Sequence, residues 1–268
     1  MENRKELRER LILAIEEYTI SLGCLLKKWW NNQSIDPSNK IVFEVIGGLF
    51  SRHISLTTKF LRTNLNWDVE IGTIILRSIC ENYITTAWIL KEATLERSEK
   101  YVEYGLGQMK LMHERYKDEI EKQINNTVED DEFLQISQKI IDNEKYHFLL
   151  DVNVGSWSGV RKMAIEADCK DFYDFVFSPL SESAHGTWNH VMRFNLAEVN
   201  DPLTMYIKKP FIRNSSPDFH YAELSIKYMD KFIAKIEDVY GKLNIENPSI
   251  KFYKTIDDLN KNAITNKC

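Results

Sequence analysis

The sequence predicts an all-α protein, a compact bundle of seven or eight helices around a buried third helix. Three observations carry this reading. Apolar residues recur at helical spacing along most of the chain, as in Leu7, Leu11, Ala14, Ile15, Tyr18, Leu22, Leu25, Leu26 and Trp29. Only 10 Gly and 6 Pro occur in 268 residues, too few for the frequent turns of a sandwich or barrel. No two segments alternate apolar and polar residues in the manner of a strand pair.

Residues 4 to 30 form the first predicted helix, followed by a polar turn over Asn31 to Asn39. Asp36-Pro37 reads as the start of a second helix reaching about Leu61, with Asp as cap and Pro in the first turn. Gly47-Gly48 inside it weakens the helix by roughly 1 kcal/mol per Gly relative to Ala, which close approach of another helix usually offsets. A third helix follows from about Trp67 with Asn66 as cap. At about 100° per residue, Arg77 and Glu81 share one stripe with Ile74, Ile84 and Trp88. The other faces carry Ile75, Leu76, Ile79, Tyr83 and Ala87. A helix apolar on nearly every side is central, so Arg77 and Glu81 are expected inside as an ion pair. A more polar fourth helix spans about 95–123 and a fifth about 130–149. A Gly/Ser turn, Val154-Gly155-Ser156-Trp157-Ser158-Gly159, comes next. Short helices are predicted at about 158–167 and 171–177, and Pro179 interrupts the run before Leu180 to Phe194. Residues 195–217 read as an irregular connection. Asp218 opens a last helix to about Leu243, giving one helical domain over 1–245 and a polar tail over 246–268.

The net charge of -5 argues against a general nucleic-acid binder, whose positive surface would release counterions from phosphates, and leaves room only for a local basic groove. Cys24, Cys80, Cys169 and Cys268 are widely spaced, without a CxxC pair, so neither a disulfide framework nor a zinc site is expected. The mixed-charge start Met1-Glu2-Asn3-Arg4-Lys5-Glu6 lacks an apolar signal core. Leu11 to Trp30 is interrupted by Glu16, Glu17, Lys27 and Lys28 and cannot serve as a span of about twenty apolar residues. A cytoplasmic protein without membrane contact is expected.

Three stretches belong together by order and spacing: Leu76-Arg77-Ser78-Ile79-Cys80-Glu81-Asn82-Tyr83, then Trp157-Ser158-Gly159 leading into Arg161-Lys162-Met163-Ala164, then Tyr173 with Ser181 and His185. Over roughly residues 40 to 195 they resemble an uncharacterised family of bacterial helical domains of unknown function. The resemblance implies a helical fold in which Arg77, Glu81, Trp157, Tyr173, Ser181 and His185 form one set.

Read as chemistry, Arg77 and Glu81 are either a register-fixing ion pair or the wall of a pocket for a polar ligand, with His185 as a third partner. Ser181 and His185, four apart, share a helix face. They lack the orienting acid and the Gly-x-Ser-x-Gly elbow of a nucleophilic system, so a histidine held in a hydrogen-bond network is the plainer reading. Glu144-x-x-His147 and Glu182-x-x-His185, with Glu44 and Glu81, match the inventory of a four-helix di-iron site but not its usual order. No metal or cofactor is expected.

Arg213-Asn214-Ser215-Ser216-Pro217-Asp218-Phe219-His220 resembles the Arg-x4-6-His motif of the HEPN ribonucleases, which carries a polar residue after the Arg. Pro217 departs from a motif usually carried largely on a helix. HEPN proteins are helical, usually dimeric and frequent in bacterial toxin and phage-defence systems. The resemblance implies that Arg213 stabilises a phosphate while His220 assists proton transfer at a ribose 2′-OH, without metal. Lys208 and Lys209 lie just upstream, and a helix N-terminus favours an anion. A loop arginine beside a helix-start histidine is the alternative. Two functions follow as expectations. The first is a HEPN-like ribonuclease or toxin-type effector with RNA as substrate, as a homodimer or with a protein partner. The second is a non-enzymatic sensor or adaptor that binds a small polar ligand or a protein in an Arg77/Glu81/His185 pocket.

Overall fold

A computed structural model describes residues 2–92, 94–122, 128–148, 157–199, 207–214 and 216–265. The first two helices, α1 (Glu2–Asn31) and α2 (Lys40–Arg62), pack side by side. Helix α2 starts later than Asp36-Pro37 predicts: Asp36 Oδ1 accepts from Ser38 N at 2.7 Å and closes a turn instead. Gly47 does face a neighbouring helix, since a Cβ there would stand 3.4 Å from Trp29 and 3.5 Å from Trp30.

A one-turn 3-10 helix (Asn64–Asn66) leads to α3 (Ile71–Lys91). Asp68, not Asn66, satisfies the free amides there, accepting from Glu70 N at 2.9 Å and Ile71 N at 2.8 Å. Helix α3 is central. It packs on α2, α4 (Thr94–Glu121), α6 (Val160–Glu166), α8 (Ser178–Ala184) and α10 (Phe219–Tyr240). Its Leu76, Ile79, Ile84 and Ile89 are fully buried, as are Trp29, Phe50, Phe60 and Phe232 from α1, α2 and α10. Burying each such side chain contributes about 1.5–3 kcal/mol. Arg77 and Glu81 are not enclosed, however. Their side chains keep 21% and 39% exposure, because their stripe meets the short α8 and an open cleft rather than a full helix.

Helix α5 (Val128–Phe148) pairs with α4. Past Trp157-Ser158-Gly159, Met163 and Ala164 of α6 are buried against α3; Val154-Gly155-Ser156 lie outside the described residues. Pro179 does not break the next helix. α7 (Lys170–Phe172) runs through a π turn (Tyr173–Phe177) straight into α8. Ser178 N donates five residues back to Tyr173 O. The wider turn removes the clash between the Pro179 ring and the carbonyl four residues earlier that an α-helix would impose.

Helix α9 (Trp188–Phe194) is followed by a short antiparallel pair, β1 (Leu196–Glu198) with β2 (Lys208–Pro210), inside the stretch predicted as irregular. Three residues per strand give no alternation to read, and Pro210 is tolerated in an edge strand. Asp218 caps α10 as predicted, its Oδ1 accepting from His220 N at 2.9 Å. The 246–268 segment, read as a polar tail, holds α11 (Pro248–Thr265), which packs on α1 and buries Phe252. With α7, the π turn and α8 taken as one run, ten helices are present among the described residues. The expected seven or eight is too low, since short helices and a polar α11 carry little periodic signal.

Candidate functional site

Ser78, Glu81, Asn82 and Thr85 stand at i, i+3, i+4 and i+7 of α3 and therefore share one face. That face forms one wall of a cleft of about 530 Å³. Leu49 and Arg52 of α2 form a second wall, and Tyr101, Val102, Tyr104, Gly105 and Leu106 of α4 a third, with Trp157 completing the lining. A smaller hollow of about 280 Å³ adjoins it, shares Leu49, Arg52 and Tyr101, and runs along Gly48.

The aromatic part of the wall is fixed by ring packing around Trp157. Tyr104 stacks on its ring at 5.1 Å, while Tyr101 and Trp88 meet it edge-on at 5.6 and 5.5 Å. Trp88 is itself held from behind: its Nε1 donates to Glu166 Oε2 at 2.5 Å, and the Arg97 guanidinium lies 4.7 Å over its ring. Burial pushes the Tyr101 hydroxyl above its ordinary pKa, and the Arg52 charge partly opposes that shift, so Tyr101 stays a neutral donor at pH 7.

The polar part begins with Asn82, which is 5% exposed. Its Nδ2 donates to Leu49 O at 2.9 Å and to His53 Nδ1 at 3.2 Å, while its Oδ1 has no partner among the described residues. Such an unmet buried acceptor carries a cost of about 1–3 kcal/mol. Glu81 accepts from Arg77 Nη1 at 2.8 Å. Arg77 is held in turn by α8, donating from Nε to Ser181 Oγ at 3.1 Å and lying 4.8 Å over the Phe177 ring. Tyr173 stacks on Phe177 at 5.3 Å. The π turn thus presents Phe177 and Ser181 to Arg77 together.

Five of the six residues grouped by resemblance stand in one connected region, Arg77, Glu81, Ser181 and Tyr173 on one side of α3 and Trp157 across the cleft. His185 stands apart. It caps the end of α8, is exposed, and forms no side-chain hydrogen bond among the described residues. The Ser181 hydroxyl donates to Phe177 O at 2.9 Å, so its proton is not directed at His185. Nor do the Glu-x-x-His pairs assemble. Glu44 accepts from His147 Nε2 at 2.9 Å, Glu81 meets Arg77, and Glu182 accepts from Asn189. Among the described residues no group of three or more His, Cys, Asp or Glu is placed to hold an ion, and no helix is long and apolar enough to cross a membrane.

Arg213 and His220 lie on another part of the surface. Both are exposed. The Arg213 guanidinium lies 5.2 Å over the Phe194 ring, which Arg193 also faces at 5.2 Å. His220 Nδ1 is 3.9 Å from Glu223. No hydrogen bond or ion pair joins Arg213 to His220 among the described residues.

Arg52, Asn82, Tyr101, Tyr104 and Gly105 were not singled out from sequence. Tyr101-x-x-Tyr104-Gly105 in the polar fourth helix held the readable signal: two aromatics one turn apart beside a helix-interior glycine.

No curated protein and no solved structure matches this chain. Residues 43–202, more than half of the chain, match a family model described as a family of unknown function, DUF5677. That span holds every residue lining the cleft and excludes Arg213 and His220. By this match the chain belongs to the family of unknown function DUF5677.

Proposed function

We propose that the protein is a non-enzymatic sensor or adaptor that binds a small polar ligand in the cleft between α2, α3 and α4. One observation carries the reading: the cleft is of ligand size and combines an aromatic wall with the charged side chains of Glu81 and Arg52. Ligand sites typically enclose about 300–1,000 Å³ and join apolar lining to a few placed polar groups. Gly105 supports it. A glycine inside a helix weakens it by about 1 kcal/mol relative to Ala, yet a Cβ at Gly105 would meet nothing within 4 Å. Packing does not require this glycine, whereas room in the cleft would.

The test is thermal unfolding of wild type and Gly105→Leu with size-fractionated metabolites under about 1 kDa from a bacterial extract. At least one fraction raises the wild-type midpoint by a few degrees, as binding to the native state alone must, and leaves Gly105→Leu unmoved. If no fraction moves the wild type, or if both proteins respond equally, the cleft is not the site.

The HEPN-like ribonuclease or toxin-type effector is the second reading. The exposure of Arg213 and His220 on either side of the α10 N-terminus, near exposed Lys208 and Lys209, favours it. In chelator-containing buffer the protein then cleaves RNA, and Arg213→Ala and His220→Ala each abolish cleavage with little change in thermal stability. A wild type inert on RNA ends this reading.

A further inference from the structure

The charges around the cleft are unequal in their commitments. Glu81 is neutralised by Arg77, which is itself occupied by Ser181 and the Phe177 ring. Arg52 has no carboxylate within ion-pair distance among the described residues, is exposed, and lines both the cleft and the adjoining hollow. Among the described residues the cleft therefore has a guanidinium without an ion-pair partner at its α2 edge, while Glu44 of the adjoining hollow is engaged by His147. The arginine side chain is the one best suited to grip a carboxylate or phosphate with two parallel hydrogen bonds.

The α3 wall asks for the opposite chemistry. The Glu81 carboxylate, which is partly exposed in that wall, is an acceptor without a proton to give, so it selects an N–H or O–H donor on the ligand. Between these ends lie Tyr101, Tyr104 and Trp157. Their faces favour a flat ring, since every planar base or arene has a π-face that stacks on an aromatic side chain. Gly105 and Gly48 leave the helix backbones of α4 and α2 bare along the same groove, so a rigid planar body can approach without displacing side chains.

We infer that the cleft takes a planar ring that carries an anionic group and a hydrogen-bond donor, with Arg52 holding the anion and Glu81 accepting from the ring. This rests on the cleft reading above. Two kinds of molecule share that chemistry, nucleoside monophosphates and aromatic carboxylates with a ring hydroxyl or amino group, and the charge on Arg52 serves either.

Binding is measured by calorimetry with two pairs of probes and one bare anion: uridine or adenosine monophosphate against its nucleoside, 6-hydroxy-2-naphthoate against 6-hydroxy-2-naphthamide, and inorganic phosphate alone. At least one ring-bearing anion binds about tenfold or more tightly than its neutral counterpart, the loss expected for a charge-assisted contact. Arg52→Gln brings it down to the level of that counterpart, with an unchanged melting temperature because Arg52 is exposed. Preference for the monophosphate or for the naphthoate identifies the phosphate or the carboxylate as the group held. Equal binding of charged and neutral partners, phosphate alone binding as tightly as the ring-bearing anions, or indifference to Arg52→Gln each overturns the inference. If no probe binds while an extract fraction still stabilises the wild type and not Gly105→Leu, the ligand class is wrong and the cleft stands. If the extract fractions also fail, both fall.

Discussion

Asn82 ties the cleft to the core behind it. The amide that leaves Oδ1 unmet also donates to His53 Nδ1, and His53 is fully buried beside Phe232, with ring centroids 4.3 Å apart. Burial pushes the His53 pKa down to about 3 from an ordinary value near 6.5. The native state therefore keeps His53 neutral where the unfolded chain would protonate it. The sign follows: stability from this group is complete above about pH 6.5 and is lost as pH falls from there toward 3. The slope approaches about 1.4 kcal/mol per pH unit, so between pH 7 and pH 5 the group costs about 2 kcal/mol. Urea unfolding at the two pH values measures it, with His53→Gln expected to show a difference smaller by about that amount. Equal pH dependence in both proteins would exclude His53 as the cause. Binding in the cleft is expected to stay level over the same range, because folded His53 is protonated only near pH 3 and keeps accepting from Asn82 above it.

At the scale of elements, helix glycines divide by what stands opposite them. A Cβ at Gly72, near the start of α3, would lie 3.0 Å from Asn66 O and 3.3 Å from the Tyr221 ring. The first neighbour is backbone in the turn that positions α3 and cannot yield as a side-chain tip can. Gly72→Ala is expected to destabilise by about 1–3 kcal/mol through overpacking. Gly105→Ala, with open space around it, is expected to stabilise by up to about 1 kcal/mol through helix propensity. Paired denaturation curves decide it: the same sign of change at both positions would contradict the account. The contrast also separates two reasons for a helix glycine, contact at Gly72 and clearance at Gly105.

For the molecule as a whole, the long amphipathic helices and the central place of α3 were legible because periodicity records which faces are buried. The Asp218 cap was legible because its chemistry is local. The lower exposure expected for Arg77 and Glu81 was an overreach: periodicity shows that a helix is surrounded, but not that one neighbour, α8, is only two turns long. The π turn at Tyr173–Phe177 left no sequence mark beyond Pro179, which reads equally well as a break. The cleft was least legible of all. Its walls come from three helices and one turn, and Arg52, Glu81, Tyr101 and Trp157 meet only through tertiary packing, to which a local pattern is blind.

The family match and the folded body have different limits. The match begins at residue 43 and ends at residue 202, yet Phe50 inside that span packs on Trp29 of α1 at 5.8 Å and on Phe232 of α10 at 5.2 Å, and both lie outside it. Helix α10 alone brings Ile226, Met229, Phe232, Ile233 and Ile236 to the common core. A fragment cut at the family's borders would present that apolar seam to water. The matched span is thus smaller than the body that shares one core. Residues 43–202 alone are therefore expected to associate through that seam or to melt well below the full chain, which size-exclusion chromatography and thermal unfolding of the two would show.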